Sequence, residues 1–181
     1  MRSANLLPGS GLFLLLLNTL PAIVPAAHTQ APAAARPVPA AVAAATLRLD
    51  GQTRILAAAD LAALPRQEVR ATGHDGQAHT YQGLTLSDLL ALVGGGQGKA
   101  IHGPVLAQAL VAEAADGYRV VFALPGLDAA FASQVVILAT ARDGQLLPAE
   151  AGPYQIIVPQ EKRPARWARQ VQRLRLVRVP A

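Results

Sequence analysis

The last quarter of the chain constrains the fold most. Between Val135 and Val179, apolar runs of strand length are cut apart by turn-forming pairs. Val135–Ala139 reads as a buried strand that runs on towards Asp143-Gly144, a hairpin signal because such a pair accepts the positive φ of a tight turn. Tyr154–Val158 follows Gly152-Pro153 and reads as a second strand. Lys162, Arg163, Arg166 and Trp167 then gather within six residues. Arg163–Arg169 reads as a short helix with Pro164 in its first turn, where a missing N–H costs no helical bond. From Val171 to Val179, Arg173 and Arg175 alternate with Leu174 and Leu176. That period of two marks a strand with one face in the core and one in water.

The preceding segments follow the same style. Thr46–Leu49 and Thr53–Leu56 read as short strands around Asp50-Gly51, and Ala58–Leu64 as a short helix that Pro65 stops. Glu68–Thr72 and Ala78–Tyr81 read as strands either side of a Gly73–Gly76 loop. Thr85 or Ser87 caps a helix through Val93, with Leu86, Leu89, Leu90 and Val93 on one face, and a glycine-rich loop, Gly94–Gly98, follows. Leu106–Ala114 and Tyr118–Leu124 read as strands joined at Asp116-Gly117, and Leu127–Phe131 as a helical turn. Many short strands with few short helices predict an α+β domain of mixed sheets.

The order of these pieces resembles the sulfite-oxidase-type molybdopterin-binding domain. That family ends with an apolar strand, an Asp-Gly turn, a Gly-Pro turn, an apolar strand closing in Pro and a basic segment closing on Lys/Arg-Trp. Earlier, the segment beginning Tyr81-Gln-Gly-Leu-Thr-Leu-Ser-Asp is similar to its strand-to-helix motif, and Asp116-Gly117-Tyr118 to its Ala-Asp-Gly-Tyr strand start. The resemblance covers about residues 46–179. It implies the family's fold and a molybdopterin cofactor whose phosphate end lies on the basic segment. Lys162, Arg163 and Arg166 then become the cofactor-binding candidates, with His74 and Tyr118 beside them. An arginine fork suits a phosphate because it donates in one plane to two oxygens. The competing reading makes these cations solvent-facing residues of a short helix. Trp167 is read as a core anchor.

One departure bears directly on chemistry. The family's enzymes hold molybdenum through a cysteine after the strand that ends here near Thr72, and this chain contains no cysteine. A soft thiolate suits molybdenum and a hydroxyl or methyl group does not replace it. The expectation is therefore a binding or accessory module without molybdenum, and no catalytic residue is assigned. Two alternatives stay open: a small pterin-dependent oxidoreductase with a non-cysteine ligand, and an interaction domain that docks an acidic partner on its basic end. His74, Asp75 and His79 are of the ligand types that zinc accepts, but their spacing matches no known signature, and no metal site is assigned. Ser87 and Ser133 lack a nucleophile elbow. Gly94–Lys99 follows a helix instead of a strand and lacks the Lys-Ser/Thr ending of a phosphate loop.

Charge and the amino terminus complete the reading. From Lys162 onward there are seven Lys/Arg and no acid, whereas residues 1–161 hold nine Lys/Arg against eleven Asp/Glu. The basic excess is thus a carboxy-terminal feature, suited to an anionic small molecule or an acidic protein. No aromatic residue interleaves Arg173, Arg175 and Arg178, which argues against nucleic acid. Met1-Arg2, the apolar Leu12–Leu17 and Val24-Pro25-Ala26 form a secretory signal over residues 1–26, which predicts a periplasmic or secreted protein. Cleavage is expected after Ala26; the rival reading keeps the signal uncleaved as an amino-terminal membrane anchor. Residues 27–45, nearly all Ala, Pro and Val, are a linker, and residues 46–181 are the folded domain.

Overall fold

Two five-stranded sheets share one core. In this computed structural model, residues 47–50, 54–56 and 58–178 are described, and all lie in the unit Ala35–Ala181. The expected signal, the linker, Thr46, Gly51–Thr53 and Val179 fall outside the described residues. The strands are β1 (Leu47–Asp50), β2 (Arg54–Leu56), β3 (Gln67–Thr72), β4 (Ala78–Thr85), β5 (Gln108–Ala114), β6 (Arg119–Ala123), β7 (Ile137–Arg142), β8 (Gln145–Leu146), β9 (Gln155–Ile157) and β10 (Val171–Arg178). Two α-helices, α1 (Ala58–Ala62) and α2 (Leu86–Ala91), complete the regular elements with a few 3-10 turns. One sheet has the order β2-β1-β10-β5-β6; the other runs β3-β4-β7-β8, with β9 also paired to β7.

The period-two pattern of β10 is realised. Leu174 is fully buried opposite Ala112, while Arg175 is exposed opposite Val111. β10 joins the ends of the domain, antiparallel to β5 and parallel to β1. In the second sheet, Ile137–Ala141 of β7 are all buried, and β7 is a central strand with β4 along one edge and β8 and β9 along the other. Leu86, Leu89 and Leu90 of α2 pack into the same cluster as Leu110 of β5 and Leu138 of β7. Each such leucine contributes roughly 1.5–3 kcal/mol by leaving water. Of the two candidate caps, Thr85 caps α2: its Oγ1 accepts from the Asp88 amide at 3.0 Å and donates to the Asp88 carboxylate at 2.7 Å.

Several boundaries differ from expectation for local reasons. Leu106 and Ala107 belong to a 3-10 turn, Gly103–Ala107, begun by Pro104, so the strand starts at Gln108. The expected helical turn at Leu127–Phe131 is a hydrogen-bonded turn in which the Phe131 and Ala132 amides both donate to the Asp128 carbonyl at 3.0 Å, and a 3-10 turn, Leu124–Leu127, precedes it. The strand read at Val135–Ala139 runs instead over Ile137–Arg142, where the Asp143-Gly144 hairpin holds its end, with φ of 51° and 79° at the two turn residues. The Arg163–Arg169 helix is not formed. Only Pro164–Arg166 coils, because Trp167 turns into the core and the Ala168 carbonyl accepts from the Ile156 amide, which stretches the chain.

Asp128 holds the glycine-rich loop in place. Its buried carboxylate accepts from the Gly98 amide and the Ala130 amide, both at 2.8 Å. Asp128→Ala leaves two donors without this partner and is expected to cost about 1–3 kcal/mol in urea unfolding. Asp128→Asn keeps one acceptor and is expected to cost about half as much. An alanine variant with the wild-type midpoint would show that water replaces the carboxylate.

Candidate functional site

The basic segment meets the β5–β6 turn across a cleft of about 520 Å³. The turn forms because Asp116 Oδ1 accepts from the Tyr118 amide at 2.9 Å and Gly117 takes a φ of 82°. Tyr118 then reaches over and donates its hydroxyl proton to the Ala165 carbonyl at 2.7 Å. His74, at the tip of the β3–β4 loop, forms another wall, edge-on to Trp167 with ring centroids 6.3 Å apart. Asp116, Glu150 and Arg169 add charge to the lining. Of the five expected site residues, the fold therefore brings His74 and Tyr118 to one cleft.

The three expected cations fare differently. Arg166 turns inward: its guanidinium donates to Glu161 and lies 4.7 Å over the Phe122 ring. Its charge is largely neutralised where it stands. Lys162 and Arg163 are exposed and make no ion pair among the described residues. Glu161 Oε2 is buried without a hydrogen-bond partner among the described residues. Arg169, with no ion pair there either, lines the cleft although the sequence reading did not single it out. Its place follows from the stretched chain after Trp167, which a helix reading conceals. Trp167 is buried, and its Nε1 donates to the Val158 carbonyl at 3.1 Å, as a core anchor should.

Behind His74 the loop is tied by charge. His79 Nε2 sits 2.9 Å from Asp75 Oδ2 and Nδ1 sits 2.6 Å from Asp143 Oδ2. These contacts raise the His79 pKa, the bond to Asp75 first and that to Asp143 second. Asp75 is held below the usual carboxylate range, by the Gln77 amide first and His79 second. Asp143 is lowered likewise, by the Thr80 amide first and His79 second. Burial raises the neighbouring Tyr81 phenol. The two imidazole nitrogens face different carboxylates, so the trio does not converge on one ion. Among the described residues no group of three or more His, Cys, Asp or Glu side chains is placed to hold a metal.

No family model and no curated protein matches the chain. Among solved structures 22 chains match. One is the sulfane dehydrogenase SoxCD from Paracoccus pantotrophus, with a TM-score of 0.55 and 21% identity over 75% of this chain and 38% of that one. This chain thus matches well under half of that structure's length. Such a likeness carries the fold alone, and with it the α+β, sulfite-oxidase-type architecture expected from the motif order.

Proposed function

We propose that this chain is an exported binding or accessory module that keeps the sulfite-oxidase-type fold without the molybdenum chemistry. The donor set at the metal position supports this most directly. The chain has no cysteine, and the segment Val69–Asp75 offers no sulfur. Thr72 is exposed at the end of β3, and His74 packs against Trp167. A molybdenum ion does not fit these donors. The anionic end of a pterin fits in part: Arg169 lines the cleft and makes no ion pair among the described residues, whereas Arg166 is occupied by Glu161, and Lys162 and Arg163 are exposed on the same segment outside the cleft lining. The cleft volume lies within the range of small-molecule sites, about 300–1,000 Å³.

The test is to express the full chain with its own leader in a molybdenum-replete host, then measure molybdenum by elemental analysis and oxidised pterin by fluorescence. Molybdenum is expected far below one equivalent. Near-stoichiometric metal, with a redox activity that depends on it, would overturn the reading. Pterin without metal identifies a carrier or structural role.

A second reading is favoured by the first sheet. Arg175 and Arg178 are exposed on β10 and make no ion pair among the described residues. If the module docks an acidic protein there, Arg175→Glu with Arg178→Glu is expected to abolish that docking, and added salt to weaken it in the wild type. Docking that survives both changes would place the contact elsewhere.

A further inference from the structure

The His79 cluster carries an inference that follows from donor counting. Aspartates accept hydrogen bonds and do not donate them when ionised, so a ring with a carboxylate on each nitrogen needs a proton on each. Asp75 and Asp143 meet that description at 2.9 and 2.6 Å. Neutral imidazole has one N–H and satisfies only one of them. The two carboxylates belong to different pieces of chain. Asp75 lies in the loop that carries His74, and Asp143 heads the β7–β8 hairpin. The other groups around the ring are the Tyr81 phenol, whose centroid is 6.1 Å away, and Arg142, which hydrogen-bonds Tyr81. Gly73 permits the closed loop: a Cβ there would stand 2.8 Å from Asp75 Oδ1 and 3.1 Å from the His79 ring.

We propose that His79 is a proton-operated latch on the His74 wall of the cleft: with two protons it ties Asp75 to Asp143, and with one it releases the loop. On deprotonation the remaining proton stays on the shorter contact, to Asp143. Asp75 then keeps its backbone bonds, the one from the Gln77 amide at 3.0 Å among them, and loses its tie to the ring. The loop loses its tie to the hairpin, and His74 loosens against Trp167. This deepens the binding-module reading and rests on the cleft being its working site.

The sign of the pH dependence follows from linkage. His79 has a raised pKa, so its contribution is complete below 6.5 and is lost as pH climbs through the raised value. Asp75 and Asp143 have lowered pKa values, so theirs is present above 3.8 and is lost as pH falls through the lowered values. The latch is closed between these limits and opens on the alkaline side.

Trp167 is the only tryptophan in the chain, so acrylamide quenching of its fluorescence reports the cleft wall without any ligand. Quenching in the wild type is expected to be low at pH 6 and to rise about twofold as the loop opens. His79→Gln should be flat at the open value. Asp75→Asn should move the midpoint down, and His74→Gln should retain the transition. A wild-type transition that persists in His79→Gln, or disappears in His74→Gln, would overturn the latch. A second measurement needs no variant: ring ¹⁵N shifts of His79 should show both nitrogens protonated at pH 6. A neutral ring there overturns the proposal even if His79→Gln fails to fold. Because neither readout requires pterin, the latch and the binding reading can fail separately.

Discussion

Gly83→Ala is expected to destabilise the domain by about 3 kcal/mol or more, seen as a lower urea midpoint in circular dichroism. Gly83 lies on β4 beside the buried strand β7, next to a register shift between Gln82 and Gly83. A Cβ built there would stand 2.1 Å from the Leu138 carbonyl oxygen and 2.6 Å from the Ala139 Cα. Both atoms are backbone, so no rotamer change relieves the overlap. The strand itself has to move, and five of its six residues are buried. Gly76→Ala is the matched control. Its φ is 75° and nothing lies within 4 Å of the added carbon, so only conformational strain of about 1–2 kcal/mol applies. Equal losses in the two variants would show that close approach does not govern Gly83.

This glycine shows how far the sequence is legible. Gly83 stands in the motif that begins at Tyr81, so its importance is visible as pattern, but the contact that explains it comes from a strand more than fifty residues away. Features whose cause is local are read correctly. The Asp143-Gly144 hairpin takes the positive φ that its residues favour, and the alternation in β10 separates Leu174 from Arg175. The helix expected at Arg163–Arg169 fails because burial of Trp167 and the Ile156–Ala168 bond override local helical preference. In the site, family likeness brought forward His74 and Tyr118, which the fold does place on one cleft. It also brought forward Arg166, whose pairing with Glu161 is five residues away yet depends on the inward turn over Phe122. The link from His79 to Asp143 spans 64 residues and has no local signal.

Trp167→Ala is expected to cost about 3–5 kcal/mol, the usual range for emptying a buried aromatic position. The indole packs edge-on to Tyr81 at 5.8 Å and to His74 at 6.3 Å, so its loss opens a void between the core and the cleft. It also removes the donor to the Val158 carbonyl, whose residue is fully buried. That carbonyl still accepts from the Glu161 amide at 3.2 Å, so the hydrogen-bond share of the loss is modest. Trp167→Phe separates the two contributions. Phenylalanine keeps much of the apolar volume and lacks the N–H, and should cost about 1–2 kcal/mol. The ordering matters for function as well as for stability. A tryptophan serving mainly as a stacking platform for a ligand would lose affinity on truncation with little change in the unfolding midpoint. A core anchor loses stability first, and affinity only because the wall behind His74 collapses. Urea unfolding of the two ligand-free variants therefore decides between these roles, and a loss below about 1 kcal/mol for the alanine variant would reject the anchor.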